Sequence, residues 1–196
     1  MQSPRISHLL ALGHTLRYLR GTSGQGILLN ANGPLLLKAF SNSDWASCPF
    51  SRCSVTGYMV LFGTFPISWK SKKQLTVSKS SAEDKYRAMS QAASEVAWLV
   101  RLLSELGVPY CQPVTLHCDN QSAIHIAKNL VFHERTKHIE VDCQFTRDKV
   151  LEGLLQLAYI PTDLQLADIL TKILPSAQHK QLLYKLGMVD CSPSPA

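Results

Sequence analysis

No two of the six cysteines (Cys48, Cys53, Cys111, Cys118, Cys143 and Cys191) form a C-x-x-C pair. Mixed sets such as His117, Cys118, His133 and His138 match no structural zinc spacing either. The opening MQSPRISHLLALGHTLRYLRG is broken by His, Thr and Arg before any apolar run suits a signal peptide or a membrane span. These absences point to an intracellular protein with reduced thiols, no disulfide framework and no membrane partner. Acids are also few: 14 Asp plus Glu face 20 Lys plus Arg, a formal charge of +6 that leans toward a polyanionic partner such as nucleic acid. Charged residues make up 17% and hydrophobic residues 45% of 196 positions, which suits one globular domain with an appendage and a real core. There is no internal repeat.

Ile6, Leu9, Leu10, Leu12, Leu16 and Leu19 recur near helical spacing and lead to Gly21, which predicts an amphipathic helix. Apolar runs at 27–29 and 35–40 flank NANGP and predict a hairpin. Residues 55–61 and 65–69 read as two further strands, and KSKKQLTVSKSS as a basic loop. The strongest helix follows, SSAEDKYRAMSQAASEVAWLVRLLSELG, with Ser80 or Ser81 as its cap and Gly107 as its stop. A strand at 114–119 runs into the polar helix start NQSAIHIAKN, then come a helix in HIEVDCQFTRDKVLEG, a strand at 154–160 and a last helix around LADILTKIL. The tail CSPSPA is too polar and Pro-rich to pack and is expected to be disordered. This order predicts a mixed α/β layer architecture.

Two acids stand where such a fold collects chemistry. Asp119 ends a strand immediately before a helix, and ligands gather at the carboxyl ends of strands in open α/β sheets; the competing reading is a helix cap. Asp168 sits among Leu166, Ala167 and Ile169, where an isolated acid is costly to bury and needs a partner or a metal. Its competing reading is a first-turn acid that complements the helix dipole.

The blocks DWASC, RCSVTGY, ISWKSKKQ, SSAE followed by YRA, HCDNQSA, FHERTKHIE and LADILTK occur in the order found in copia-type retrotransposon Pol polyproteins. Over nearly its whole length the chain resembles the ribonuclease H region of those polyproteins, and MQSP with LRYLRGT resembles the connection from their reverse transcriptase. The resemblance implies a ribonuclease H-like α/β fold, a mixed sheet flanked by helices, at residues 31–175. Residues 1–30 would be a remnant of the reverse transcriptase connection and 176–196 a C-terminal extension. It further implies cleavage of the RNA strand of an RNA–DNA hybrid by two Mg²⁺ (or Mn²⁺) ions held by four acids, and partnership with the parent reverse transcriptase. The chain carries no polymerase acid motif and no integrase segment.

By that resemblance the four positions are 42, 85, 119 and 168, and only Asp119 and Asp168 are acids able to hold metal. Asn42 stands where the family has its first Asp; Asp44 is on the same side of a strand, but about 6.5–7 Å further along. Lys85 stands where the family has Glu. Helical periodicity bears on this independently: Ala82, Tyr86, Met89, Ala93, Val96, Val100 and Leu103 define a buried stripe, with position 85 at its edge and Glu83 outside it. A later helix start would instead turn Glu83 inward as a substitute. The four positions sum to −1 where four acids would carry −4, so catalysis is expected to be impaired, the alternative being a non-catalytic module that binds nucleic acid or protein. Trp69, Lys70, Lys72, Lys73 and Lys79 form one candidate nucleic-acid surface, and Arg135 and Lys137 a second. Asn120 and Gln121 are candidate contacts to a sugar–phosphate backbone, with helix capping the plainer role for Asn120.

Overall fold

The computed structural model describes residues 3–29, 33–108, 113–128 and 140–191. The helices are α1 (Ile6–Gly21), α2 (Ser81–Glu105), α3 (Gln121–Lys128), α4 (Glu140–Leu151) and α5 (Ser176–Lys185). The strands are β1 (Gln25–Ile27), β2 (Leu37–Asp44), β3 (Val55–Phe62), β4 (Phe65–Lys73), β5 (Val114–Cys118), β6 (Leu155–Tyr159) and β7 (Met188–Asp190).

Five strands form one sheet in the order β4-β3-β2-β5-β6. The first three pair antiparallel, whereas β2–β5 and β5–β6 are parallel. This is the mixed sheet flanked by helices that the sequence predicts. The predicted hairpin between residues 27–29 and 35–40 is corrected: β1 pairs with β7, because β2 is already bonded on both edges and has none left for it.

Alternation along each strand feeds two cores. On one face Val60, Leu116 and Leu157 meet Tyr86, Met89 and Val96 of α2. On the other, Phe40, Met59 and Leu61 meet Leu166, Ala167, Leu182 and Leu186, so residues 176–190 pack against the sheet or pair with β1. Ser80 is the cap of α2, its Oγ accepting the Glu83 N–H at 3.2 Å. The expected helix around LADILTKIL is instead a 3₁₀ turn, Leu166–Leu170, and α5 begins only after Pro175, since a proline disfavours helical backbone in the residue before it.

Gly57 explains how that turn fits. It lies opposite Asn42 in the β2–β3 register, and a Cβ there would sit 2.6 Å from Thr171 Cγ2 and 2.8 Å from Leu170 Cβ. The bare backbone lets the turn carrying Asp168 lie directly on β3. No helix among the described residues is long and apolar enough to cross a membrane.

Candidate active site

The four positions converge. β2 and β5 are paired as far as Phe40↔His117, and Asn42 and Asp119 lie two residues beyond that pair on parallel chains. Lys85 arrives from the second turn of α2 and Asp168 from the 3₁₀ turn. Buried Gln165 fastens that turn to β2: its Nε2 donates to the Ser41 carbonyl at 3.1 Å and its Oε1 accepts the Ala167 N–H at 3.2 Å.

Asn42 is fully buried, and its amide has a definite polarity. Nδ2 donates to Asp168 Oδ1 and, at 2.9 Å, to Thr171 Oγ1, while Oδ1 accepts from Lys85 Nζ. Lys85 Nζ also donates to Asp119 Oδ1 at 2.5 Å, in a pair whose side chains are 12% and 5% exposed. Thr162 Oγ1 donates to the other Asp119 oxygen at 3.4 Å. Lys172 Nζ holds Asp168 Oδ2 at 2.8 Å. Burial pushes the Asp168 carboxyl above its ordinary range, and the Lys172 ammonium opposes that shift. Lys85, at the edge of the helix's buried stripe, thus turns its ammonium toward the strand ends.

The other expectations for α2 and its surroundings divide. Glu83 is buried rather than outside the packed surface, a correction whose cause is local: Oε1 accepts from Arg87 Nη2 and Oε2 from the Lys79 N–H, both at 2.8 Å. Asp44 is half-buried at the end of β2, two residues beyond Asn42. Asn120 caps α3, Oδ1 accepting the Ala123 N–H at 2.8 Å, and Gln121 is exposed.

Lys70, Lys72 and Lys73 do not lie in a loop; they finish β4, an edge strand, where lysines also discourage pairing with other chains. With Thr76, Arg87 and Gln91 they line a cleft of about 550 Å³ between β4 and α2. Lys73 Nζ contacts Cys48 Sγ at 3.0 Å and draws that thiol down to about 6. Trp69 faces away from Lys70 and Lys72 by strand alternation and lines an apolar pocket of about 290 Å³ with Tyr18, Met59 and Leu183. Lys79 is exposed in the loop before α2. Arg135 and Lys137, with His133 and His138, lie outside the described residues.

Sequence reasoning missed Thr171 and Lys172, three and four residues after Asp168, although that spacing inside LADILTK is itself a signal. It also missed Asp84, which is fully buried beside Lys85.

No family model matches the chain. Among curated proteins it is 42% identical over 194 residues to the Retrovirus-related Pol polyprotein from transposon RE1 of Arabidopsis thaliana, covering 99% of this chain and 13% of that one. It is 37% identical over 188 residues to the corresponding polyprotein from transposon TNT 1-94 of Nicotiana tabacum, covering 96% and 14%. The chain thus spans a small fraction of these relatives' length. Among solved structures, LC11-RNase H1, isolated from compost and crystallised with an RNA/DNA hybrid, superposes with a TM-score of 0.51 at 11% identity, over 69% of this chain and 93% of that one. This is a likeness of fold.

Proposed function

The chain belongs to the Pol polyproteins of copia-type retrotransposons as their ribonuclease H-like domain, and from that premise we propose that it engages RNA–DNA hybrids but cleaves them poorly or not at all. The observation that carries this reading is the Lys85 ammonium bonded to both Asn42 and Asp119 at the centre of the acid cluster.

Hydrolysis in this fold class calls for carboxylates that hold divalent ions, which activate a water and stabilise the leaving oxygen. The residues here do not fit that need. One ligand position is an amide, one is a cation, and each remaining carboxylate already faces an ammonium. A unit charge pair at ~4 Å and an effective dielectric of ~20 is worth about 4 kcal/mol, so Lys85 opposes a second cation by that order. At about 1.4 kcal/mol per factor of ten, such a deficit corresponds to a loss near 10³-fold.

Hybrid binding rests on other groups: Lys70, Lys72 and Arg87 around the β4–α2 cleft can follow a phosphate backbone without any metal. In this reading the domain works inside the cell beside the parent reverse transcriptase, with residues 1–30 as the connection and 31–175 as the ribonuclease H-like unit.

The test is a hybrid cleavage assay in Mg²⁺ on the natural chain and on the double variant Asn42→Asp plus Lys85→Glu. Cleavage is expected only in the variant. Mg²⁺-dependent cleavage by the natural chain, abolished by Asp119→Asn, refutes the impairment.

A further inference from the structure

We infer that Lys85 is a resident cation, which together with the Asn42 amide takes over the cohesive role of divalent ions in this cluster, so that the domain folds and holds its hybrid without metal. The second half of that statement rests on the hybrid-binding reading above; the first rests on the geometry alone.

Three observations converge. Lys85 Nζ lies between Asn42 Oδ1 on β2 and Asp119 Oδ1 beyond β5, tying α2 to the ends of two strands. The Asn42 amide turns its oxygen to the ammonium and its nitrogen to Asp168, so one neutral group satisfies a cation on one side and an anion on the other. Finally, Asp119 and Asp168 are each paired with an ammonium group, Lys85 and Lys172, so neither carboxylate stands free for an ion.

The two replacements therefore depend on each other. An Asp at 42 would turn a carboxylate oxygen toward Asp168 where Asn42 now donates. A Glu at 85 would remove the only cation bonded to Asp119 in the described contacts and add a third carboxylate. Residues in one ion network couple in this way, and their effects do not add.

Thermal unfolding of the full chain in EDTA and in millimolar Mg²⁺ tests the inference. The natural chain should unfold at the same temperature in both, whereas Lys85→Met, with the resident cation gone, should gain about 5 °C or more when Mg²⁺ is in large excess over its Kd. Equal Mg²⁺ responses in the two proteins, whether both rise or neither does, overturn it. Should Lys85→Met fail to fold, titration of the natural chain with Mn²⁺, followed by water-proton relaxation, still decides: no saturable binding is expected, and a saturable site overturns the inference. Fluorescence anisotropy with a labelled hybrid should give the same Kd in EDTA and in Mg²⁺. A Kd that tightens only with Mg²⁺ refutes metal-free binding, while failure to bind in either medium refutes the hybrid reading and leaves the unfolding comparison to judge the cation.

Discussion

Asp84 is fully buried on α2, next in sequence to Lys85, and among the described residues no hydrogen bond of normal geometry reaches either of its oxygens. Burial raises its pKa above the ordinary 3.8, and the nearby Ser43 and Ser54 hydroxyls and the Lys85 charge offset this only in part. A raised carboxyl means that the folded state binds its proton more readily than the unfolded state. Stability therefore falls as pH rises from about 3.8 through the elevated value, and the penalty is full above it. Asp84→Asn should stabilise the protein at pH 7 by removing a buried charge, a gain of about 1–3 kcal/mol. The gain should shrink toward zero as the pH approaches 4, measured by urea midpoints at both values. Residues 42 and 85 were legible in the sequence because each stands within a longer matching block at a position where the resemblance implies an acid, and because periodicity independently put position 85 at the edge of the buried stripe. Asp84 was not legible, since the same periodicity makes two adjacent residues equally good candidates for one flank. Only the approach of Ser43 from β2 and Ser54 from just before β3 distinguishes its burial.

Between elements, the contact of β3 with the 3₁₀ turn decides where Asp168 stands. Gly57→Ala should cost about 1–3 kcal/mol by overpacking, because the new methyl meets Thr171 and Leu170. Denaturant unfolding measures the cost, and the Asn42 amide NMR signals should shift as the turn lifts from β2 and β3. Elements with strong periodicity and clear stops, α2 above all, agree with their sequence reading nearly to the residue. Two others do not, for physical reasons. β4 continues through Lys70, Lys72 and Lys73 because an edge strand needs only one bonded neighbour and tolerates charge. β1 finds its partner at the far end of the chain, a long-range pairing that no local turn signal announces.

For the whole molecule, the excess of six positive charges matters through where it is concentrated. Lys70 and Lys72 share one cleft with Arg87, so hybrid affinity should fall steeply with salt. Lys70→Ala and Lys72→Ala should each weaken binding across all hybrid sequences alike and reduce the slope of log K against log salt by about one. Anisotropy titrations at several salt concentrations check this, and an unchanged slope would place the backbone elsewhere. α1 shows a different large-scale property. None of its residues is buried, and Leu9, Leu16 and Leu19 are each more than half exposed. Deleting residues 1–21 should therefore leave the denaturant midpoint nearly unchanged.

The polarity of the Asn42 amide also bears on what a four-acid version of this cluster would require. The oxygen faces a cation and the nitrogen faces an anion, so either restoring substitution made alone meets like charge with like. Substituting both positions gathers more negative charge still, which only a bound cation would offset. A four-acid version of this cluster would therefore need divalent ions for its own cohesion, whereas the present one carries its counter-charge in the chain.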